Sequence, residues 1–354
     1  MVNPMKIEIE NHKLIYHPER VSEWLSTGDC YPIYIEIGPT NRCNHHCIFC
    51  ALDWIEKEYK DIDPVVMNRA FKEMGACGVK SVMFAGEGEP FLHPDICDFV
   101  INAKKAGLDV AIATNGVLFT EEKIQKCLPC LSWLRYSLDA GTADTHYKIH
   151  RGGKRDFDKI LENIRKAVKV KKQNHYPVVI GVQLLIISEN FDEIIPFVQL
   201  MKETGVDNVQ LKPYSQHPLS KNRYSVDVTR MDHLAEKLGE YNDDTFQVIF
   251  RQKSAHRVVE EKPYPECYGL PFYALIEADG NIIPCNLYHT RPEFAYGNLY
   301  NKSFSEIWQS KKRHDVIAKI KETGVETCRK GCRLDPANRY LSALKHPHPH
   351  VNFI

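Results

Sequence analysis

Three cysteines in the first fifty residues are spaced for metal binding. Cys43, Cys47 and Cys50 form the pattern C-x3-C-x2-C within one short segment. A loop of this length can direct several thiolates at one centre, which suits zinc or an iron–sulfur cluster. Three thiolates would leave one iron of a [4Fe–4S] cluster free for a small molecule, whereas structural zinc needs a fourth ligand. His45 or His46 could supply that ligand, so a zinc knuckle stays open at this point.

A second set of cysteines lies in the last quarter of the sequence. Cys267, Cys285, Cys328 and Cys332 could together hold one [4Fe–4S] cluster or one zinc ion. Residues 274–285 between the first two are predicted to form a β-hairpin, because an Asp-Gly pair sits at the centre of an apolar segment. The other five cysteines are expected to pack as small hydrophobic residues, although one could donate a hydrogen atom to a radical. They are Cys30, Cys77, Cys97, Cys127 and Cys130.

The segments around these cysteines alternate between strand and helix patterns. Six short runs rich in β-branched and aromatic residues are typical of buried parallel strands. They span residues 33–37, 81–85, 109–114, 133–138, 178–186 and 208–212. Helices are predicted between them, one starting at Asp63-Pro64 and another at Asn190, where Glu193 would complete a capping box. The pattern predicts an α/β fold with a parallel sheet, open or curled into a partial barrel.

The order of elements places the three-cysteine loop at a reactive position. In parallel sheets, active-site residues gather at the carboxyl ends of the strands, and this loop directly follows the first strand.

The composition and the apolar pattern argue against several classes of partner and location. Lys and Arg total 46, as do Asp and Glu, so no basic excess indicates a nucleic-acid or membrane partner. No apolar run approaches the ~20 residues of a membrane span, and the first residues lack a secretory core. We therefore expect a cytoplasmic protein.

The three-cysteine motif, with Phe49 before its last cysteine and a strand before it, resembles the radical S-adenosylmethionine (SAM) superfamily. The resemblance covers about residues 32–340. It implies a partial (β/α)6 barrel and a [4Fe–4S] cluster whose free iron binds SAM. One electron, supplied by a flavodoxin or ferredoxin-type reductant, would cleave SAM to a 5′-deoxyadenosyl radical.

The same resemblance implies SAM contacts at successive strand ends. The segment Gly-Glu-Gly-Glu-Pro follows the second strand, with Glu87 where the family more often has Gly or Thr. An arginine in the segment HYKIHRGG is implied to pair with the SAM carboxylate, a task that suits its two parallel donors. Beside Phe49, the implied SAM-binding residues are Gly88, Glu89, Pro90, Thr114, Asn115, Ser137, Asp139, Arg151, Gln183 and Leu185.

The C-terminal cysteines resemble the twitch domain, a short relative of the SPASM domain. Four cysteines imply one auxiliary [4Fe–4S] cluster, so the chain would hold two clusters in all. The expected division is a lead-in (1–31), the radical SAM partial barrel (32–225), a helical linker (226–260), the small α+β auxiliary domain (261–340) and an extended tail (341–354).

This architecture resembles that of the radical SAM enzyme 2-deoxy-scyllo-inosamine dehydrogenase. The likeness implies oxidation of a carbinol carbon in a carbohydrate-like small molecule: a sugar, cyclitol or sugar nucleotide. The radical would take a hydrogen atom, a base would take the hydroxyl proton, and the auxiliary cluster would accept the remaining electron. Candidate substrate contacts are Glu87, Lys212 and Tyr214.

Three alternatives remain open from the sequence. An epimerase would use one of the five other cysteines as hydrogen-atom donor. A peptide-modifying enzyme is less favoured, because many of these carry a recognition domain of roughly 80 residues and only 42 residues precede Cys43. A zinc-binding scaffold without activity is the third.

Overall fold

A ten-stranded sheet organises the part of the chain that the computed structural model describes, residues 11–56, 58–224 and 227–353. Its strand order is β10-β9-β8-β1-β2-β3-β4-β5-β6-β7. The strands are β1 (Tyr34–Ile37), β2 (Ser81–Phe84), β3 (Asp109–Thr114), β4 (Trp133–Ser137), β5 (Val179–Ile186), β6 (Asn208–Pro213), β7 (Gln247–Phe250), β8 (Tyr273–Ile276), β9 (Asn281–Ile283) and β10 (Gly297–Asn298).

Helices follow most of the strands. They are α1 (Pro18–Thr27), α2 (Pro64–Ala76), α3 (Ile96–Lys105), α4 (Glu121–Cys127), α5 (Ala143–His150), α6 (Asp156–Asn174), α7 (Ile194–Thr204), α8 (Val228–Gly239), α9 (Gln252–Val259), α10 (Phe304–Trp308), α11 (Lys311–Thr323) and α12 (Asp335–Lys345). None of the described helices is long and apolar enough to cross a bilayer.

The first predicted helix shows how local sequence fixes an element. Asp63 caps α2, its Oδ1 accepting hydrogen bonds from the backbone N–H of Val65 at 2.7 Å and Val66 at 3.3 Å. Pro64 lacks an N–H and fits the first helical position without loss. Met67, Ala70, Phe71 and Met74 then recur on one face and are buried against the sheet.

The parallel pairing runs from β8 through β1 to β7. β8 pairs with β1 in the register Tyr34↔Tyr273 to Ile37↔Ile276, and β7 pairs with β6. The hairpin β8–β9 has its turn at Gly280, whose φ of 82° suits glycine, as the Asp-Gly pair predicted. The fold is thus a mixed α/β fold with a partial-barrel sheet that the C-terminal hairpin extends. The carboxyl ends of β1 to β8 meet along one edge.

Three segments differ from their sequence-based expectation. Residues 226–260 are more than a helical linker, because β7 lies between α8 and α9 and adds a strand to the sheet. α12 continues to Lys345, so the first five residues of the expected tail 341–354 are helical. The first ten residues of the lead-in 1–31 lie outside the described part.

The capping box at Asn190 and Glu193 is wrong. α7 begins at Ile194, four residues later. The Glu193 carboxylate instead accepts hydrogen bonds from the backbone N–H of Gly141 at 2.7 Å and from Thr145 Oγ1 at 2.6 Å. The Glu193 carboxylate therefore binds residues at and before the start of α5, and it does not cap its own helix as the local pattern predicted.

Candidate active site

The three-cysteine loop leaves β1 at the carboxyl edge and is held by the end of α5. The backbone N–H of His46 donates to His150 O at 2.9 Å, and that of Ile48 donates to Ile149 O at 2.9 Å. Cys43, Cys47 and Cys50 are all half-buried in this loop. Their sulfurs are therefore partly screened from solvent but reachable from the sheet edge.

His150 contacts the loop through its side chain. Its Nε2 accepts a hydrogen bond from the backbone N–H of Asp139 at 3.3 Å. We assign the ring proton to Nδ1, which is 3.2 Å from Cys47 Sγ and donates to it in that tautomer; Asp139 Oδ2 also lies 3.4 Å from Nε2. Burial lowers the pKa of His150 well below its ordinary value, which keeps the ring neutral in this role. The sequence reasoning missed this residue, although His146 and His150 at four-residue spacing share one helix face.

One nitrogen of His45 is engaged outside the three-cysteine loop. Its Nε2 lies 3.1 Å from Asp156 Oδ2, and the ring is buried. His45, Cys47 and His150 do bring ligand atoms within 4.8 Å of one another. The His45 ring is engaged through Nε2 only, because its buried Nδ1 has no hydrogen-bond partner in the described part of the chain, whereas the His150 ring lies between Asp139 and Cys47. His46 is exposed.

The loop after β2 packs backbone to backbone against the cysteine loop. The N–H of Glu89 donates to Arg42 O at 2.8 Å. A Cβ at Gly88 would lie 2.2 Å from Arg42 O and 2.7 Å from Thr40 O, so only glycine permits this approach. Pro90 follows at the first position of a short 3-10 turn.

The carboxylate of Glu89 joins two strand ends. Its Oε1 accepts from Thr114 Oγ1 at 2.6 Å, and its Oε2 accepts from the backbone N–H of Asn115 at 2.7 Å. Asn115 Nδ2 donates in turn to Asn44 Oδ1 at 2.8 Å, within the cysteine loop. Burial raises the pKa of Glu89, and these donors oppose the rise. Both side-chain oxygens of Glu89 are thus bonded to the end of β3 and the turn after it. A contact between this segment and SAM would then be made by backbone atoms.

The ends of β4 and β5 are joined by Asp139. Its Oδ1 accepts from the backbone N–H of Leu185 at 2.5 Å. Burial raises its pKa to about 7, although the Leu185 bond and the nearby Arg135 and Lys212 lower it. Ser137 and Gln183 are half-buried partners in the register of β4 and β5.

An apolar cluster lies beside the cysteine loop. Phe49 and Leu185 pack against the buried cluster of Ile149, Ile187 and Tyr214. The Phe49 ring also meets the His150 ring edge-on at 5.7 Å. Arg151 caps α5 in the left-handed region (φ 50°) and is exposed. The structure therefore brings the implied SAM contacts to one edge, with Arg151 at the outer limit.

The four C-terminal cysteines lie close to one another. Cys267, Cys285 and Cys328 are each close enough to Cys332 for its charge to raise the pKa of their thiols. Two sulfurs also receive donors: Leu334 N–H reaches Cys332 at 3.4 Å, and Asn338 Nδ2 reaches Cys267 at 3.5 Å. Burial raises the pKa of Cys267 to about 12, so metal binding must displace its proton.

Sulfur spacing separates zinc from an iron–sulfur cluster. Tetrahedral zinc with bonds of about 2.3 Å holds its sulfurs about 3.8 Å apart. Among the described residues, neither cysteine set brings three sulfurs within 4.8 Å of one another. Wider spacing fits a cubane, in which each thiolate binds a different iron. Neither set is therefore preassembled as a zinc site in the described part of the chain.

Comparison with known families agrees with this geometry. Residues 37–201 match the radical SAM superfamily, and residues 267–333 match the SPASM iron–sulfur cluster-binding domain. The chain is a radical SAM enzyme with a SPASM-type domain. Its cofactors are accordingly SAM and two [4Fe–4S] clusters, and the resemblance inferred from the motifs is confirmed.

Individual relatives are distant and differ in activity. The chain is 26% identical over 301 residues to a tungsten-containing aldehyde ferredoxin oxidoreductase cofactor-modifying protein of Pyrococcus furiosus, covering 79% of this chain and 81% of the relative. It is 25% identical over 248 residues to a probable GTP 3′,8-cyclase of Saccharolobus solfataricus, covering 69% and 72%. The structure of Streptococcus suis SuiB bound to S-adenosylmethionine matches with TM-score 0.67 and 18% identity, covering 86% and 72%, which shows a shared fold.

A cavity of about 50 Å³ lies between the radical SAM sheet and the SPASM-type domain. Lys212 of β6 lines it from one side, and Cys285 and Cys332 line it from the other. Burial lowers the pKa of Lys212 well below its ordinary value, and three neighbouring guanidinium groups lower it further. These belong to Arg329, Arg251 and Arg135. Tyr214 lies instead in the apolar cluster, its hydroxyl donating to Gln216 Oε1 at 3.3 Å.

Glu87 belongs to a contact between the two domains. His289 Nδ1 lies 2.9 Å from Glu277 Oε1 and 3.4 Å from Glu87 Oε1. Glu87 comes from the loop after β2, whereas Glu277 and His289 follow β8. Burial raises the pKa of Glu87, against the effect of His289. This group, the domain clasp, was not visible in the sequence, because nothing in the spacing of the three residues links them.

Proposed function

We propose that this radical SAM enzyme oxidises a carbinol carbon of a sugar, cyclitol or sugar nucleotide to a ketone. The observation that carries the proposal is the cavity that Lys212 shares with Cys285 and Cys332. When bound, the cofactors would supply a 5′-deoxyadenosyl radical to take the carbinol hydrogen atom and an acceptor for the remaining electron. A substrate carbinol group next to Lys212 would lie beside that electron acceptor.

Lys212 is the residue we propose as base. Its pKa is lowered, because burial and nearby guanidinium groups disfavour the ammonium form. Nζ can therefore accept the hydroxyl proton as the ketone forms. We assign Tyr214 to packing beside Phe49 and Glu87 to the domain clasp, so neither is proposed to react.

We propose that Cys43, Cys47 and Cys50 hold the SAM-binding cluster and that the SPASM-type cysteines hold the auxiliary one. Cys267 also lines an outer cavity of about 280 Å³, beside Lys321 and Lys345. The auxiliary site thus reaches from the barrel to the outer surface. A flavodoxin or ferredoxin-type protein is the electron partner we propose.

The positions of the other cysteines favour oxidation over epimerisation. Cys30, Cys77 and Cys130 precede β1, β2 and β4, at the amino edge of the sheet. Cys97 lies on α3 and its thiol contacts that of Cys127 at the end of α4. None of the five lines the cavity, so an epimerase of this chain would lack a thiol donor there.

The test is a screen of sugar and cyclitol alcohols with anaerobically reconstituted enzyme, SAM and a reductant. Deuterium placed on the carbinol carbon should appear in 5′-deoxyadenosine, with about one ketone formed per 5′-deoxyadenosine. The Lys212→Met variant should form ketone about 100-fold more slowly, because the proton acceptor is gone. Lys169→Met, an exposed position on α6, is the matched control and should behave as wild type.

Two outcomes would contradict the proposal. Product carrying solvent hydrogen at the carbinol carbon, with no ketone, would indicate an epimerase. Cleavage of SAM only in the presence of a precursor peptide would indicate a peptide-modifying enzyme. An unchanged ketone rate in Lys212→Met would remove Lys212 as the base while leaving the oxidation itself intact.

A further inference from the structure

The turn between α5 and α6 is joined to the three-cysteine loop by a buried contact between two side chains. His45 lies in that loop, and its Nε2 is 3.1 Å from Oδ2 of Asp156, the first residue of α6. A carboxylate only accepts hydrogen bonds, so the ring nitrogen donates. His45 is 4% exposed and Asp156 is 5% exposed. Breaking this contact would therefore leave a buried carboxylate without one of its donors.

Asp156 binds the turn as well as the histidine. Its Oδ2 also accepts a hydrogen bond from the backbone N–H of Gly153 at 2.7 Å, and its own N–H donates to Gly153 O at 3.0 Å. Its other carboxylate oxygen, Oδ1, lies 3.7 Å from Lys159 Nζ. One oxygen of Asp156 thus holds the three-cysteine loop and the turn together.

The residue before Gly153 lies directly on the imidazole ring of His45. A Cβ at Gly152 would lie 2.4 Å from His45 Cδ2 and 2.7 Å from Asp156 Oδ2. Gly152 does not have a positive φ. Space, rather than backbone conformation, is therefore what excludes a side chain here.

Arg151 lies between two residues that contact the three-cysteine loop. On one side is His150, whose ring nitrogen is 3.2 Å from Cys47 Sγ. On the other side is Gly152, which packs on His45. The backbone of Arg151 is thus fixed on both sides to the loop that would hold the SAM-binding cluster.

Tyr224 shows on which side of the turn the charge of Arg151 acts. Burial raises the pKa of Tyr224, and the positive charge of Arg151 opposes that rise. Tyr224 packs against the apolar cluster that also contacts Phe49. The exposed guanidinium of Arg151 is therefore close to the edge of the sheet where the implied SAM contacts lie.

We propose that Asp156 is a positioning residue for SAM binding, which fixes Arg151 by joining His45 to the turn at Gly152 and Gly153. The proposal rests on the contact with the SAM carboxylate that the family resemblance implies for Arg151. It does not depend on which substrate is oxidised. A fixed turn lowers the cost of ordering the guanidinium when SAM binds, so loosening the turn should weaken SAM binding.

The experiment measures SAM binding directly. Reconstituted and reduced enzyme is titrated with SAM, and the change in the electron paramagnetic resonance signal of the cluster gives the dissociation constant. Asp156→Ala and Gly152→Ala should each weaken binding about tenfold or more, the first by removing the acceptor and the second by a clash with His45. Asp156→Asn should recover most of the affinity, because its amide oxygen can accept both hydrogen bonds. Asp158→Ala, an exposed position also in the first turn of α6, is the matched control and should bind as wild type.

The Arg151→Ala variant tests whether Asp156 acts through Arg151. If it does, the double variant Asp156→Ala/Arg151→Ala should bind SAM no more weakly than Arg151→Ala alone. Losses of affinity that add in full would overturn the proposal. Wild-type affinity in either single variant would overturn it as well, because Asp156 would then have no SAM contact to position.

Iron per chain and the visible spectrum of each variant show whether the clusters assemble. SAM binding that weakens only in proportion to lost iron would overturn the proposal, because Asp156 would then only stabilise the three-cysteine loop. Gly152→Ala leaves every polar group in place and keeps the test valid if Asp156→Ala fails to fold. No alcohol oxidation is measured, so failure of the proposed function would leave these binding constants unchanged.

Discussion

The hydrogen bond from His150 to Cys47 is a direct contact between a neutral side chain and a sulfur of the three-cysteine set. Donors to ligating sulfurs stabilise the more negative, reduced state of an iron–sulfur cluster and so raise its reduction potential. A bond worth about 1 kcal/mol corresponds to about 40 mV for one electron. His150 is thus placed to tune a cluster without binding it.

We expect His150→Phe to lower the reduction potential of the SAM-binding cluster by about 40 mV, because the Nδ1 donor is lost. Potentiometric titration followed by electron paramagnetic resonance measures this shift. His150→Asn places an amide nitrogen near the Nδ1 position and should restore most of the potential. His146→Phe changes the ring stacked on His150 at 4.4 Å and serves as the packing control. An equal shift in that control would mean that packing, not the donor, sets the potential.

The loop after β2 and the three-cysteine loop can pack against each other only because Gly88 has no side chain. The loop after β2 approaches Arg42 and Thr40 through backbone atoms alone. Gly88→Ala places a methyl group in contact with two carbonyl oxygens that cannot move independently. We expect a loss of about 1–3 kcal/mol in stability and weaker assembly of the SAM-binding cluster.

Iron per chain and the thermal unfolding midpoint measure that effect. The matched control is Gly239→Ala, since a methyl group there meets no atom within 4 Å. Normal iron content in Gly88→Ala would show that the two loops can separate without harm to the site.

The positions of the strands could largely be predicted from the sequence, but the contacts between residues distant in sequence could not. The six predicted strands match β1 to β6 within two residues at each end, because buried parallel strands carry a local apolar signal. Glu193 was assigned to the wrong partner and β7 was missed, since the partners that decide their roles are distant in sequence. The cysteine sets were readable by spacing. His150 and His289 were not singled out, because a lone histidine carries no such pattern.

At the scale of the whole molecule, the two domains are joined in two ways. β8 pairs with β1, so the SPASM-type domain extends the radical SAM sheet. The domain clasp of Glu87, Glu277 and His289 adds a charged contact at the carboxyl edge. Burial alone would lower the pKa of His289, but the two carboxylates outweigh it and raise the pKa to about 9. The clasp therefore depends on a protonated histidine.

This pKa predicts how stability depends on pH. A group whose folded pKa lies above its unfolded value stabilises the protein fully below the unfolded value, here 6.5. That stability is lost as the pH rises through about 9. The difference corresponds to about 3 kcal/mol as an order of magnitude. The apparent unfolding midpoint of the wild type should therefore fall across this range more steeply than that of His289→Gln.

The comparison of midpoints at each pH isolates the clasp from other titrating groups. The gap between wild type and His289→Gln should be widest below pH 6.5 and should close above pH 9, because the wild-type ring has then lost its proton. His348→Gln, an exposed position near the C-terminus, should follow wild type throughout. A gap that stays constant with pH would mean that His289 stabilises the domain contact by packing rather than by charge. The carboxylates of Glu87 and Glu277 would then need another source of neutralisation.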